Sequence, residues 1–412
     1  MCGIVGYLGN KEAKDVIIKG LKRLEYRGYD SAGISTLQNN KLEITKTQGK
    51  VGDLLAVMDD NSHLGGLGIG HTRWATHGIP NDNNSHPHSD NSGKFTLVHN
   101  GIIENYNSLK KLLKDNGIEC KTDTDTEVLV QFMGYLYQKE KLDFVETVRI
   151  ALNQVVGAYG IVVLCEDYPD MLIAARLGSP LLLGIGKDEY FVASDSSPII
   201  EYTRNIVFLD EGELAVIKPG EYQVRNISGN QVVPKQVEEI KYNLEEIEKG
   251  GYDHFMLKEI NEQGHTISEA LRGRINTEDL TVNLGGIYDW VQQILDANHI
   301  YITACGTSWH AALIGSYILE ELLNVPVKVE YASEFRYRET AVNGDSVVIC
   351  VSQSGETADT LAAIRKAREK GALTLGIMNV VGSSIARETN CGVYIHAGPE
   401  IGVASTKAFT AQ

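Results

Sequence analysis

The spacing of short apolar runs changes along the chain, and this change constrains the possible folds more than any other feature of the sequence. Up to about residue 225, strand-like runs follow one another, with helical patterns between only some of them, notably over 105–116 and 125–153. From 299 onward, strand-like and helical patterns alternate. The first arrangement predicts an α+β sandwich with large, mostly antiparallel sheets. The second predicts an α/β domain with a parallel, doubly wound sheet.

A polar and charged stretch separates these two parts and is interpreted as a linker. The predicted organisation is an N-terminal domain over 1–225, a linker over 226–250 and a C-terminal domain over 251–412. The sequence stops in what looks like the opening of a helix, so we expect the second domain to be C-terminally incomplete.

The composition excludes several functions. With 38 Lys and Arg against 54 Asp and Glu, the net charge is −16, which disfavours sequence-independent binding of nucleic acid. No apolar run reaches the length of a membrane-spanning helix, so no membrane association is expected. Six cysteines are scattered without a CxxC pair, which is typical of a reducing compartment. These features predict a soluble cytoplasmic protein.

The cysteine behind the initiator methionine is a candidate nucleophile. Methionine is normally trimmed before a small residue, and Cys2 would then carry both its thiol and the α-amino group. An α-amine titrates at about 7.7–8.0, so it can accept the thiol proton near neutral pH. The alternative is an ordinary buried cysteine on a strand, and Cys2 alone does not decide between the two.

Further polar residues follow strand-like runs. Arg73, in HTRWATHG (71–78), is placed to pair with a substrate carboxylate. Asn100 and Gly101, in HNGIIEN (99–105), could form an oxyanion hole, although an Asn-Gly pair is also typical of a hairpin turn.

Two other clusters have simpler alternatives. Asp123 and Asp125 precede a helical pattern, where acidic residues often serve as helix caps. Five histidines lie within 71–99, and a metal site is the alternative to loop and core roles. Their spacing fits no standard ligand pattern, so no metal is expected. The five are His71, His77, His86, His88 and His99.

Taken together, these segments resemble the glutaminase domain of the class II amidotransferases, which are N-terminal-nucleophile (Ntn) hydrolases with an αββα sandwich. The similarity covers about the first 225 residues and is carried most specifically by RLEYRGYDSAG (23–33) and HTRWATHG. It implies that Cys2 attacks the glutamine side-chain amide, with Asn100 and Gly101 stabilising the oxyanion. It also implies a set of glutamine-binding residues: Arg73 for the α-carboxylate, Asp125 for the α-ammonium group, and Trp74, Thr76 and His77 nearby.

In the C-terminal part, hydroxyl-bearing segments follow two strand-like runs and open two helical patterns. They are CGTSWH (305–310) and SQSGET (352–357). Hydroxyls and free backbone N–H groups at a helix N-terminus favour a phosphate group. Plain N-capping is the alternative. Two such segments in a parallel-sheet pattern would both lie at the carboxyl ends of strands, where ligands usually bind.

These segments resemble a sugar isomerase (SIS) domain. With ASEFRYR (332–338) and EIGVASTKAFT (400–410), the whole chain resembles the glutamine–fructose-6-phosphate aminotransferase family. The resemblance implies these sugar-phosphate-binding residues: Cys305, Gly306, Thr307, Ser308, Ser352, Gln353, Ser354, Thr357, Val403 and Ser405.

The expected activity is therefore transfer of ammonia from glutamine to fructose 6-phosphate, giving glucosamine 6-phosphate, without a cofactor. That family has two SIS domains, and only the first is expected here, so a glutaminase-only fragment is an open alternative. Another class II amidotransferase, or a sugar-phosphate-binding regulator without catalysis, also remains open. A homodimer is expected from the resemblance alone.

Overall fold

The computed structural model describes residues 2–59, 61–74, 79–240 and 244–412. The chain divides into two compact units, Met1–Lys241 and Tyr242–Gln412. None of the helices in the described residues is long and apolar enough to cross a membrane.

The first unit contains antiparallel strands and two groups of helices. Its strands are β1 (Gly3–Leu8), β2 (Ser31–Gln38), β3 (Lys41–Gln48), β4 (Leu67–Arg73), β5 (His88–Ser89), β6 (Phe95–Ile103), β7 (Gly157–Cys165), β8 (Leu172–Leu177), β9 (Leu182–Ile185), β10 (Tyr190–Ala193), β11 (Asn205–Phe208), β12 (Glu213–Lys218), β13 (Glu221–Asn226) and β14 (Glu238–Glu239). Its helices are α1 (Ala13–Leu24), α2 (Val51–Val57), α3 (Tyr106–Asp115), α4 (Asp125–Glu140) and α5 (Phe144–Asn153).

Two sheets stack in this unit, and helices cover both outer faces. One sheet has the order β14-β11-β9-β10-β1-β4-β2-β3, and the other has the order β13-β12-β8-β7-β6-β5. Because side chains alternate between the faces of a strand, successive residues of β7 enter different cores. Val162 packs between the sheets, whereas Ile161 and Val163 pack against α4 and α5. The result is the predicted αββα sandwich with antiparallel sheets.

Helix α1 covers the first sheet with the apolar face that its sequence predicts. Val16, Ile17, Leu21 and Leu24 are all buried. The pattern over 125–153, by contrast, forms two helices rather than one. Lys141 ends α4 in a left-handed conformation with φ of 51°, and Asp143 caps α5 by accepting a hydrogen bond from the Glu146 amide.

The predicted linker 226–250 includes residues that pack within the first unit. Ile227 and Ile240 are buried, and β14 pairs with β11. The domain boundaries drawn from the sequence stay a prediction.

The second unit contains the predicted parallel sheet. Its strands are β15 (Ile275–Asn276), β16 (Thr281–Val282), β17 (His299–Ala304), β18 (Val327–Tyr331), β19 (Ser346–Ser352), β20 (Leu373–Met378) and β21 (Cys391–Tyr394). Its helices are α6 (Phe255–Leu271), α7 (Val291–Leu295), α8 (Gly306–Leu323), α9 (Ala332–Phe335), α10 (Ala358–Glu369), α11 (Ser384–Glu388) and α12 (Lys407–Ala411).

The order of the parallel sheet, β18-β17-β19-β20-β21, locates a candidate ligand site. The chain builds outward from β17 to β18 on one side and then continues from β19 on the other side. Strand order therefore reverses between β17 and β19. Open α/β sheets bind ligands in the crevice at such a reversal, beyond the carboxyl ends of the strands.

Candidate active site and sugar-phosphate site

Cys2 directly precedes β1, at the end of the strand pair where β4 finishes. Gly3 pairs with Thr72 in this antiparallel ladder, so the next residues, Cys2 and Arg73, lie across from each other. The Trp74 amide donates a hydrogen bond to Cys2 Sγ at 3.2 Å, and Sγ lies 3.5 Å from the Trp74 carbonyl oxygen. The strand pairing thus places the candidate nucleophile beside the candidate carboxylate-binding arginine.

The surroundings of Cys2 keep its thiol protonated near neutral pH. Burial raises the pKa of the Cys2 thiol, and the hydrogen bond from the Trp74 amide opposes this only in part. Since the thiolate is the nucleophilic form of cysteine, an attack by Cys2 needs a base that removes the proton.

Asn100 reaches Cys2 from the second sheet. Its Nδ2 atom donates a hydrogen bond to the Cys2 carbonyl oxygen at 3.0 Å. Asn100 and Gly101 both lie inside β6, where they pair with Gly160 and Tyr159 of β7. The hairpin turn considered from the sequence is therefore wrong, and the amide of Asn100 lies close to the nucleophile.

Gly101 has a backbone conformation that other residues rarely adopt. Its φ is +135°, and a Cβ atom there would lie 2.0 Å from the Ala158 carbonyl oxygen. Only glycine therefore fits at this position without moving β6 away from β7.

Asp125 is the first residue of α4 and is buried. Its Oδ2 atom accepts a hydrogen bond from the Ile103 amide at 2.8 Å, which anchors the helix start to the end of β6. The N-cap of α4 is Thr124, whose hydroxyl accepts from the Glu127 amide at 3.2 Å. The capping role considered for Asp123 and Asp125 is therefore wrong.

Arg73 is almost fully buried, with 4% of its surface exposed. Burial lowers the pKa of its guanidinium group, while the charges of Cys2 and Asp125 favour its protonated form. A buried cation thus interacts with both the thiol and a buried carboxylate, and such a pair of opposite charges suits the two charged groups of a free amino acid. Trp74 is 42% exposed. Thr76 and His77 lie outside the described residues.

Four of the five clustered histidines form a buried layer near Asn100. The rings of His71 and His86 stack with centroids 4.2 Å apart, and His88 meets the edge of His86 at 4.9 Å. Burial lowers the pKa of all four imidazoles, with His99 as the fourth. In the part of the chain that the structure describes, no group of three His, Cys, Asp or Glu residues is arranged to hold a metal ion.

In the second unit, the two hydroxyl-bearing segments meet at the reversal of strand order. Ala304 pairs with Val351, so Cys305 and Ser352 leave adjacent strands side by side. Ser352 Oγ accepts a hydrogen bond from the Gly355 amide at 3.0 Å. The segment after β19 therefore turns back on itself directly beside the start of α8.

Plain N-capping does not explain these segments. Cys305 and Thr357 hold the N-cap positions of α8 and α10, and neither side chain accepts a capping hydrogen bond from a described residue. Ser354 Oγ accepts from the Glu356 amide at 3.2 Å. The hydroxyl of Thr357 and the first amides of α10 remain suited to an anion.

The other predicted sugar-site residues differ in their exposure and in their hydrogen-bond partners. Gly306 and Thr307 begin α8. Ser308 is buried, and its hydroxyl accepts a hydrogen bond from Gln412 Nε2 at 3.0 Å. Val403 is 89% exposed, and Ser405 donates to Glu400 Oε2 at 2.5 Å.

Comparison with known proteins identifies the family. The chain is 53% identical over 416 residues to the glutamine–fructose-6-phosphate aminotransferase (isomerizing) of Chlorobaculum tepidum, with 100% of this chain and 67% of that protein covered. It is 52% identical over 414 residues to the same enzyme of Bacteroides thetaiotaomicron, again with 100% and 67% covered. The chain belongs to the glutamine–fructose-6-phosphate aminotransferase family. It spans 67% of the length of these relatives.

Domain families and solved structures agree with this membership. The Glutamine amidotransferase domain matches residues 58–241, and the SIS domain matches residues 293–412. The glutamine phosphoribosylpyrophosphate amidotransferase of B. subtilis aligns with a TM-score of 0.50 at 19% identity, covering 96% of this chain and 90% of that chain. That similarity shows the Ntn amidotransferase fold alone. As an aminotransferase family member with this fold, the chain is an enzyme of the class II amidotransferase type.

Two contacts near the candidate sites are not predicted from the sequence, although His71 is one of the five clustered histidines. His71 Nε2 lies 3.0 Å from Asn100 Oδ1. Glu356 accepts hydrogen bonds from the Ser384 amide at 2.8 Å and the Ser384 hydroxyl at 2.7 Å, which ties the segment after β19 to α11. No local sequence signal identifies either contact, because both join distant parts of the chain.

Proposed function

We propose that this chain releases ammonia from glutamine at Cys2 and transfers it to fructose 6-phosphate, which is aminated and isomerised to glucosamine 6-phosphate. The observation that carries the proposal is the convergence of four side chains at one end of the sandwich: Cys2, Arg73, Asn100 and Asp125. The family relationship supports the same reaction.

In the glutaminase step, Cys2 Sγ attacks the side-chain amide carbon of glutamine. The C–N bond then breaks, the thiol proton passes to the departing nitrogen as ammonia leaves, and water hydrolyses the remaining thioester to glutamate. Arg73 binds the α-carboxylate and Asp125 binds the α-ammonium group, so a free amino acid is recognised and a protein side chain is not. Asn100 and Gly101 stabilise the oxyanion, and one such donor is typically worth about 3–4 kcal/mol. We place Trp74, Thr76 and His77 near the bound glutamine from the family resemblance.

The base for this step is the α-amino group of Cys2 itself after removal of Met1. A buried thiol that holds its proton needs a nearby acceptor, and an α-amine titrates at about 7.7–8.0. His71 does not fit this role, because burial lowers its pKa to about 3.

The sugar phosphate binds at the reversal of strand order in the second unit. We assign the phosphate to Ser352, Gln353, Ser354 and Thr357, with assistance from Thr307, because this segment precedes a helix N-terminus. The sugar is bounded by Cys305, Gly306, Ser308, Val403 and Ser405. Local donors of this kind let a protein with a net charge of −16 bind an anion. A cytoplasmic homodimer is the assembly we propose from the resemblance.

The test compares Cys2→Ala with the control Cys120→Ala, which alters another partly buried thiol of the first unit. Ammonia release from glutamine is measured enzymatically, and fructose 6-phosphate binding is measured by calorimetry. We expect Cys2→Ala to abolish ammonia release and leave sugar binding intact, and Cys120→Ala to retain both. Ammonia release by Cys2→Ala at the rate of the unaltered protein would refute the site.

A further inference from the structure

An oxyanion hole needs the nitrogen end of the Asn100 amide, and the two ends of an amide are nearly equal in size. With Nδ2 toward Cys2, the side chain donates a hydrogen bond to the Cys2 carbonyl oxygen at 3.0 Å. A half-turn of the amide would instead present Oδ1, which can only accept. The Cys2 carbonyl oxygen favours the productive orientation from the Nδ2 side, and a hydrogen-bond donor on the Oδ1 side would add to it.

His71 lies on the Oδ1 side of the Asn100 amide, where it can hold this orientation. It lies on β4, and its Nε2 atom is 3.0 Å from Asn100 Oδ1 and 3.1 Å from the His99 carbonyl oxygen. Both neighbours are acceptors in this arrangement. Nε2 must therefore carry the hydrogen, and it donates to the pair.

The rest of the ring supports the same tautomer. His71 Nδ1 is buried and has no hydrogen-bond partner among the described residues. One face of the ring stacks on His86. Because burial lowers the pKa of His71 to about 3, the ring holds a single proton at neutral pH. That proton is on Nε2, facing Asn100.

We propose that His71 is a positioning residue of the glutaminase reaction, whose Nε2–H group holds the Asn100 amide with its nitrogen facing Cys2. The inference rests on the proposed glutaminase function. Without this donor, the amide keeps only the bond to the Cys2 carbonyl oxygen, so its preference for this orientation is weakened. In the wrong orientation, a carbonyl oxygen would face the developing negative charge and oppose it.

The test uses substitutions that separate the donor from the bulk of the ring. In His71→Leu the donor is absent, and in His71→Asn the side chain is too short to place a donor at the Nε2 position. His71→Gln can place an amide nitrogen near that position. We expect His71→Leu and His71→Asn to lower kcat for glutamine hydrolysis about 10- to 100-fold. The loss should not exceed the loss in kcat caused by removing an oxyanion donor itself. KM should change less than about threefold. His71→Gln should recover most of the lost kcat.

His63→Leu is a control for the loss of a buried imidazole, although His63 has a positive φ of 62° where leucine adds backbone strain. His63 is also a buried imidazole of the first unit, and it contacts the hydroxyls of Thr36 and Thr45 at 2.9 Å each. The loss of these two bonds, together with the strain of leucine at this φ, should lower the thermal midpoint of the protein. The value of kcat should remain within about twofold, since no oxyanion donor is touched.

A double-mutant cycle with Asn100→Ala decides whether His71 acts through Asn100. If it does, removing the His71 donor costs nothing further once the amide is gone, so the two losses in kcat are strongly non-additive. Additive losses, or a kcat in His71→Leu and His71→Asn equal to that of the unaltered protein, would overturn the positioning role. If His71→Leu fails to fold, the cycle is run with His71→Asn.

Failure of the proposed function gives a different result. It would appear as ammonia release by Cys2→Ala, or as no release by the unaltered protein, before any His71 variant is compared. When those two proteins behave as expected, the His71 series tests the positioning role alone.

Discussion

Replacing Gly101 by alanine tests the close approach of β6 to β7 at the candidate oxyanion hole. Two penalties combine at this position. A residue with a Cβ atom in an unfavourable backbone region costs on the order of 1–3 kcal/mol. The new Cβ atom would also lie 2.0 Å from the Ala158 carbonyl oxygen and 2.7 Å from its carbon. Relieving such a clash typically costs about 1–3 kcal/mol more, so we expect a local destabilisation of about 2–6 kcal/mol.

Gly117→Ala is the control that separates the two penalties. Gly117 also has a positive φ, +79°, but a Cβ atom there would meet nothing within 4 Å. This variant therefore carries only the conformational penalty, about 1–2 kcal/mol. A larger loss of stability in Gly101→Ala than in Gly117→Ala therefore reports the clash between β6 and β7 together with the difference between the two backbone conformations.

Hydrogen exchange of the β6 and β7 amides, followed by mass spectrometry of peptides, is the appropriate assay because it reports local opening. A loss of about 2 kcal/mol or more accelerates exchange by about 30-fold or more where opening limits protection. Gly101→Ala should show this acceleration in peptides of both strands. If these peptides exchange no faster in Gly101→Ala than in Gly117→Ala, the proposed close approach of the two strands is wrong.

Three further predictions concern charge, acidity and the phosphate segment. Asp125→Asn should raise KM for glutamine about 10- to 100-fold in steady-state kinetics, because it removes a charged hydrogen-bond acceptor; an unchanged KM would exclude Asp125 from substrate binding. The pKa of His71 and of His86 is lowered by burial, so unfolding takes up protons below the unfolded pKa of about 6.5, and stability falls as the pH drops below that value. The slope is about 1.4 kcal/mol per pH unit for each fully titrating imidazole, and urea midpoints that stay equal at pH 7.5 and 5.5 would contradict it. Ser352→Ala removes the hydrogen bond to the Gly355 amide and should weaken fructose 6-phosphate binding about 10-fold in calorimetry, whereas equal affinity would exclude this role.

Much of the fold could be predicted because its signals are local and periodic. The spacing of Val16, Ile17, Leu21 and Leu24 predicts the buried face of α1, and all four residues are buried. The alternation after residue 299 likewise predicted the parallel sheet. The periodicity over 125–153 was insufficient on its own, since the break between α4 and α5 depends on a left-handed Lys141 and the Asp143 cap.

The candidate site was harder to predict because its geometry depends on partners far away in the sequence. Asn100 and Gly101 have the local chemistry of a turn, but pairing with β7 holds them in an extended strand. The contact between His71 and Asn100 joins strands of different sheets. Periodicity locates each strand, but it does not specify which side chains meet when two sheets stack.

The most direct test of the catalytic centre is to treat the protein with a glutamine analogue that alkylates thiols, and then to locate the label by mass spectrometry of peptides. We expect one label, on Cys2, in a peptide whose first residue is Cys2 because Met1 has been removed. A label on another cysteine, such as Cys305, or activity in protein that retains Met1, would contradict a nucleophile that uses its own amine as base.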